Sequence, residues 1–357
     1  MYSESDLQAA VDAKVLTPEA ALAFRSHIAS VRAAPGADEE SFRLITGFND
    51  IFVSIAAVIL LVAVGWIGAS IHPALGGAFV AGSAWFLAEY FTRQRRMALP
   101  SIVLVLAFSG GVFATMVGFL VKHGESIFGN SPNETVGATL VGAMALVTAA
   151  ATWAHWKRFM VPITVAAGTA ALAATAVALV LAITGMPSPD GTLPMILVLI
   201  AGLGVFTLAM WWDRSDRVRQ TRRSDVAFWL HLLAAPMIAH PVFHLLGVTR
   251  GDDIGSGAAL MVVGIYVIFG LIALAIDRRA LLVSALAYVL FAMTQLFNTF
   301  GAVELNVALT AFVIGSALLL LSAFWQNARA VVVGFLPPNV ADQLPATVRA
   351  ISPQPAS

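Results

Sequence analysis

Residues 50–70 read DIFVSIAAVILLVAVGWIGAS. After Asp50, twenty residues follow without a charge, and only Ser54 and Ser70 among them carry polar side chains. A helix rises about 1.5 Å per residue, so roughly 20 apolar residues cross a hydrocarbon layer about 30 Å thick. This segment is long enough, and too apolar, to be anything but a membrane span. Asp50 sits where its charge favours the start of the helix dipole.

Working outward, nine further runs of this kind follow, at about 74–91, 100–121, 136–156, 159–185, 194–212, 226–247, 256–276, 280–299 and 305–326. Charge, Pro or Gly bounds each one. The expected fold is therefore all-α, a polytopic transmembrane bundle of about ten helices. Composition agrees: of the 357 residues 59% are hydrophobic and only 11% charged, against about 25% charged in soluble domains. A net charge of zero implies no basic face for nucleic acid. The chain has no cysteine, which removes disulfides, thiolate metal sites and thiol nucleophiles.

Cytoplasmic loops collect Lys and Arg. With the N-terminus placed inside, 18 of the 20 basic residues fall in inside segments, leaving only Lys122 and Arg250 outside. One helix more or fewer would move the later loops to the wrong side. Both termini are thus expected in the cytoplasm, in a multi-pass membrane protein. Six tryptophans, Trp153, Trp156, Trp211, Trp212, Trp229 and Trp325, fall near the inner interface that this places. Five even-numbered helices end alike, in EYFTRQRR, TWAHWKRF, MWWDRSDR, LAIDRR and AFWQNAR. Either each helical hairpin obeys the same interface rules or a hairpin unit has been duplicated.

The domain organisation expected is a cytoplasmic helical hairpin and linker over 1–48, the ten-helix bundle over 49–326, and a membrane-surface tail over 327–357. Thr17-Pro18-Glu19 supplies an N-cap, a Pro at N1 and an early acid, and residues 34–41 read as linker. Pro337 and Pro338 interrupt the tail. The stretch LQAAVDAKVLTPEAALAFRSHI, followed by FRLITGFNDIFVSIAAVILLVAVGWIG, resembles a family of predicted bacterial integral membrane proteins of unknown function. That resemblance implies a short N-terminal helical domain and an inner-membrane location; it brings no activity and no site residues.

Ionisable groups inside a span are costly and mark function by default. The seventh span carries His231, Pro236, His240, Pro241 and His244. His240 and His244 share a face one turn apart, where two imidazoles can pass a proton or begin a metal site; His231 points the other way. No third ligand is evident, so no metal is assigned. Gln295 and Asn298 of the ninth span are expected at the same depth, with Glu304 just outside. Glu89 is the best single carboxylate for proton coupling, or else pairs with Arg93. His72 and His123 fall in outer loops. Glycines such as Gly77, Gly110, Gly111, Gly202 and Gly204 are read as close-packing positions.

Among the motifs absent are G-x-S-x-G, H-E-x-x-H, a Walker loop and G-x-G-x-x-G after a strand. No cofactor and no catalytic residue is therefore assigned, and an enzyme is disfavoured. Two functional readings stand: a transporter or permease for a small solute, with His240, His244, Gln295, Asn298 and Glu89 as candidate solute- or proton-site residues, or a non-catalytic interaction or sensing protein. In the second, a cytoplasmic protein partner engages residues 1–40. The lipid bilayer is the partner in either.

Overall fold

The computed structural model describes residues 10–13, 15–24, 48–129, 133–185, 191–217, 219, 221–248, 255–299 and 305–345. The expected linker at 34–41, Glu304 and Arg250 lie outside them. The chain divides into two units, one of them Arg43–Ala346. In the other, the Thr17 hydroxyl accepts from Ala20 N at 3.1 Å, so the cap read from Thr17-Pro18-Glu19 forms, with helix over 18–24.

The larger unit is an all-α bundle. Its principal helices are α1 (Phe48–Ile71), α2 (Pro73–Ala88), α3 (Ala98–Phe128), α4 (Glu134–Phe159), α5 (Pro162–Thr184), α6 (Thr192–Arg214), α7 (Arg222–Leu245), α8 (Ser256–Ile276), α9 (Ala280–Thr299) and α10 (Asn306–Ala323). All ten expected helices are present, nine of them within a few residues of their anticipated bounds; α3 runs seven residues past its expected end at 121. Among the described residues nine are long and apolar enough to cross a membrane. The tenth, α2, has 16 α-helical residues and continues as a six-residue π-helix, Glu89–Gln94. Two short helices follow, α11 (Trp325–Gly334) and α12 (Pro338–Ala341).

Local chemistry sets the boundaries. His72 caps α2, its Nδ1 accepting from Ala74 N, with Pro73 at the first position. Asn133, the acceptor of the Asn133-Glu134-Thr135 sequon, instead caps α4 by accepting from Thr135 N at 3.0 Å. Pro162 opens α5, where a missing N–H costs nothing.

Neighbouring helices pair as hairpins: α2 with α3, α4 with α5, α6 with α7 and α8 with α9. We refer to these as hairpins A, B, C and D. The second helices form a row in which α3 touches α5, α5 touches α7 and α7 touches α9. Helix α1 packs on hairpin A, and α10 on α9. One core gathers Leu61, Ala81, Ala84, Leu104 and Phe108; a larger one centres on Leu230, Ala234, Ala239 and Phe243 of α7. Over half of the apolar window of α7 is buried, more than in any of the other eight spans. The outward faces remain apolar, with Phe52, Ile59, Trp66, Ile183 and Phe312 exposed. Water would not tolerate that surface, whereas lipid does. The protein is a multi-pass membrane protein.

Only some glycines are in contact. A Cβ on Gly77 would lie 2.3 Å from Thr115 N, and one on Gly111 would lie 2.7 Å from Ala81 N. Between α6 and α7, a Cβ on Gly202 would meet Met237 at 2.9 Å. Gly110 and Gly204 have open space around them. Backbone contact, not a generic glycine-rich surface, joins each pair.

Candidate functional site

The turns of the four hairpins lie at one end of the bundle, here called the basic end. Ile102, Val105, Phe159, Val161, Ile163 and Trp229 meet there. At this end the chain buries a charge cluster that the sequence reading did not anticipate. Asp213, in the last turn of α6, is 1% exposed. Its Oδ1 accepts from an Arg278 Nη at 2.7 Å and its Oδ2 lies 3.0 Å from His231 Nε2. A carboxylate only accepts, so His231 Nε2 carries the proton. Its buried Nδ1 has no hydrogen-bond partner among the described residues. The same Arg278 nitrogen donates to Ser224 O at 3.2 Å. One guanidinium thus ties α6 and α7 to the turn of hairpin D.

Arg219, between α6 and α7, extends the cluster. It donates to Asp277 Oδ2 at 2.8 Å and to Ile276 O at 3.1 Å, and its Nε stands 3.9 Å from Asp213. Asp277 also accepts from the Trp325 indole at 2.8 Å, with Arg329 Nε at 3.7 Å. Burial by itself would push the Asp277 carboxyl up. Arg219 and Arg329 nearby, the indole bond and Arg278 outweigh it and hold the group below the usual carboxylate value.

Residues past the last span join in. Arg329, 1% exposed, donates to Pro345 O at 2.6 Å, and Arg217 donates to Leu344 O at 3.0 Å. The chain from 325 to 345 is therefore held against hairpins C and D. Two carboxylates face three guanidiniums, Arg219, Arg278 and Arg329.

The residues singled out from sequence fall in three places. His240 Nδ1 lies 2.6 Å from the Tyr288 hydroxyl of α9, and its ring centroid is 6.1 Å from that of His244. His240 is exposed and His244 half-buried. From α9 the side chain that reaches His240 is Tyr288, seven residues before Gln295. Asn298 is instead hydrogen-bonded to Asn306 at the start of α10, and half-buried Gln295 lies two turns beyond Tyr288. Glu89 accepts from Arg93 at 3.3 Å, as its spacing suggested, but binds Arg158 of α4 more closely, at 2.7 and 3.0 Å.

At the opposite end His72 and His123 come together, Nε2 to Nε2 at 3.3 Å with rings stacked. His123 lies within α3 and not in a loop. Since His72 Nδ1 accepts a backbone N–H, the neutral ring carries its proton on Nε2 and donates to His123. Among the described residues no three His, Asp or Glu side chains converge as a metal site.

Tyr288→Phe is expected to lower stability by about 1 kcal/mol, the usual worth of one hydrogen bond. Unfolding of the purified protein in mixed micelles measures it, and a variant as stable as the parent removes the His240 pair from consideration.

The cluster left one signal in the sequence. Acids sit among the basic junctions, in Asp213-Arg214, Asp216-Arg217 and Asp277-Arg278, where interface rules ask only for Lys and Arg. Compared with family models, with curated proteins and with solved structures, the chain matches none.

Proposed function

We propose that this protein is a transporter for a small solute in the bacterial inner membrane, with both termini cytoplasmic and its solute or proton site centred on α7. Membership of the family resembled over residues 5–70 belongs to the same proposal. The observation that carries the reading is the placing of α7. This enclosed helix, with Pro236 and Pro241 inside it, contacts α5, α6 and α9. It also holds protonatable groups at two depths: His231 in the buried cluster, and His240 with His244 beside Tyr288. Nine residues separate His231 from His240, about 13 Å along the axis. Interrupted helices bearing polar groups are how many transporters build sites, and buried ionisable groups in a bundle mark function.

A ligand screen tests this. Divalent metals, amino acids, sugars and lipids are added to the purified protein across pH 5–8, with His240→Ala/His244→Ala as control. A ligand of the folded state raises apparent stability by about 2.7 kcal/mol at 100-fold over its dissociation constant. A hit lost in the double variant, followed by flux of that solute into proteoliposomes, is the expected result. A flat panel with the double variant equally folded rejects it.

One observation favours the second reading, sensing or interaction through the N-terminal region: Met1–Phe42 falls outside the bundle unit. Deleting residues 1–40 separates the two, since a transporter keeps its flux and a partner-dependent sensor loses its signal.

Orientation has its own test. The natural chain has no cysteine, so Gln94→Cys and Glu125→Cys each create one thiol, both at exposed positions. An impermeant maleimide on intact cells is expected to label the second and not the first; the reverse result inverts the topology.

A further inference from the structure

Four non-glycine residues among the described residues have positive φ: Arg96, Met160, Arg219 and Asp277, at 53°, 55°, 56° and 57°. Each costs about 1–2 kcal/mol against an ordinary conformation, and there is one in the turn of each hairpin. Three glycines share the property, Gly129, Gly185 and Gly247. They end or follow α3, α5 and α7, the second helices of hairpins A, B and C. A common interface rule explains basic residues at a membrane edge, but it does not dictate backbone conformation. A left-handed residue thus recurs in the turn of all four hairpins.

Side chains then pair the hairpins in twos. Glu89, at the basic end of the first helix of hairpin A, binds Arg158 in hairpin B. Asp213, at the same place in hairpin C, binds Arg278 in hairpin D. The left-handed residue that follows the acid is an arginine in both, Arg96 and Arg219. Hairpin B touches C through α5 and α7, with no ion pair between their turns among the described residues. On the second helices, a histidine precedes the glycine by six residues in α3 (His123, Gly129) and by seven in α7 (His240, Gly247).

We propose that α2–α9 is a tandem duplication of one four-helix unit, and that each copy carries its own acid–arginine latch at the basic end, Glu89–Arg158 in the first and Asp213–Arg278 in the second. Four helices per copy is an even number, so the copies share one orientation in the membrane and are related by an axis along its normal. The latches differ in strength. Asp213 and Arg278 are buried, where a pair is screened little. The Glu89 and Arg158 side chains are 28% and 42% exposed, and such a pair holds weakly. The first copy is the one that opens readily at the basic end, and the second is the fixed half. This holds whether or not a solute is carried.

Pulsed electron-spin distance measurements in nanodiscs test it without any ligand. Spin labels on Gln94→Cys/Ala154→Cys report the separation of hairpins A and B, and labels on Ser215→Cys/Val283→Cys that of C and D. Glu89→Gln is expected to raise the population of longer A–B distances several-fold while the C–D distances stay fixed. The swap Glu89→Arg/Arg158→Glu is expected to restore the parent distribution. Arg278→Lys keeps the charge, and so the fold, but cannot reach Asp213 and Ser224 O together; it is expected to widen C–D alone. Size-exclusion chromatography confirms that each variant is folded. If Glu89→Gln leaves A–B unchanged, or if either variant moves both pairs, the two pairs are not separate latches and the proposal fails.

Discussion

Asp213→Ala is expected to destabilise the purified protein by about 3–5 kcal/mol, the cost of stripping one partner from a buried ion pair. The reason lies in what remains. Arg278, 4% exposed, and His231, 3% exposed, lose the carboxylate that satisfies both, and Arg219 loses one of its two counter-charges. Reversible unfolding in mixed micelles gives the difference directly. The double variant Asp213→Ala/Arg278→Ala is expected to fall well short of the sum of the singles, because the second substitution removes the orphaned charge. A single variant within about 1 kcal/mol of the parent would mean that water reaches these charges.

Gly111→Leu is expected to cost about 3 kcal/mol or more, while Gly110→Leu leaves stability unchanged or raises it. A Cβ at 111 falls 2.7 Å from Ala81 N and 2.8 Å from Gly77 O. Backbone cannot yield as a flexible side chain can, so α2 and α3 must separate, beyond the usual range for overpacking. At Gly110 nothing lies within 4 Å, and replacing glycine in a helix gains up to about 1 kcal/mol. The unfolding assay used for Asp213 applies, with Gly202→Leu and Gly204→Leu as a second pair, two residues apart on α6. Equal effects at 110 and 111 would show that α2 and α3 do not meet through this face.

These two cases bracket what could be read in advance. Sequence named Gly110 and Gly111 together as packing residues because small side chains allow close approach. It could not say which faced a helix, since neighbours in sequence differ by 100° around the axis. His240 and His244 were paired correctly because helical spacing alone sets that geometry. That Tyr288 is the α9 residue reaching His240 depends on how two helices pack, which spacing along one helix does not give. Glu89 was given its i+4 neighbour Arg93, while the closer Arg158 comes from a helix 69 residues away. His231 was set aside for pointing away from the other histidines; it points into the largest charge cluster of the bundle.

What the sequence determined by itself is the class of solvent and the count and ends of the helices. Hydrocarbon thickness sets a length, and the cost of charge in lipid marks where each span stops. Both constraints act on contiguous residues and need no knowledge of neighbours. What only the tertiary structure decided is which loop charges are buried, that residues 325–345 clasp hairpins C and D, and that hairpins pair in twos through Glu89–Arg158 and Asp213–Arg278. Those outcomes depend on contacts 48 to 127 residues apart. A charge at a helix end obeys the same interface rule whether it faces water or another helix, so the difference appears only when the helices are assembled.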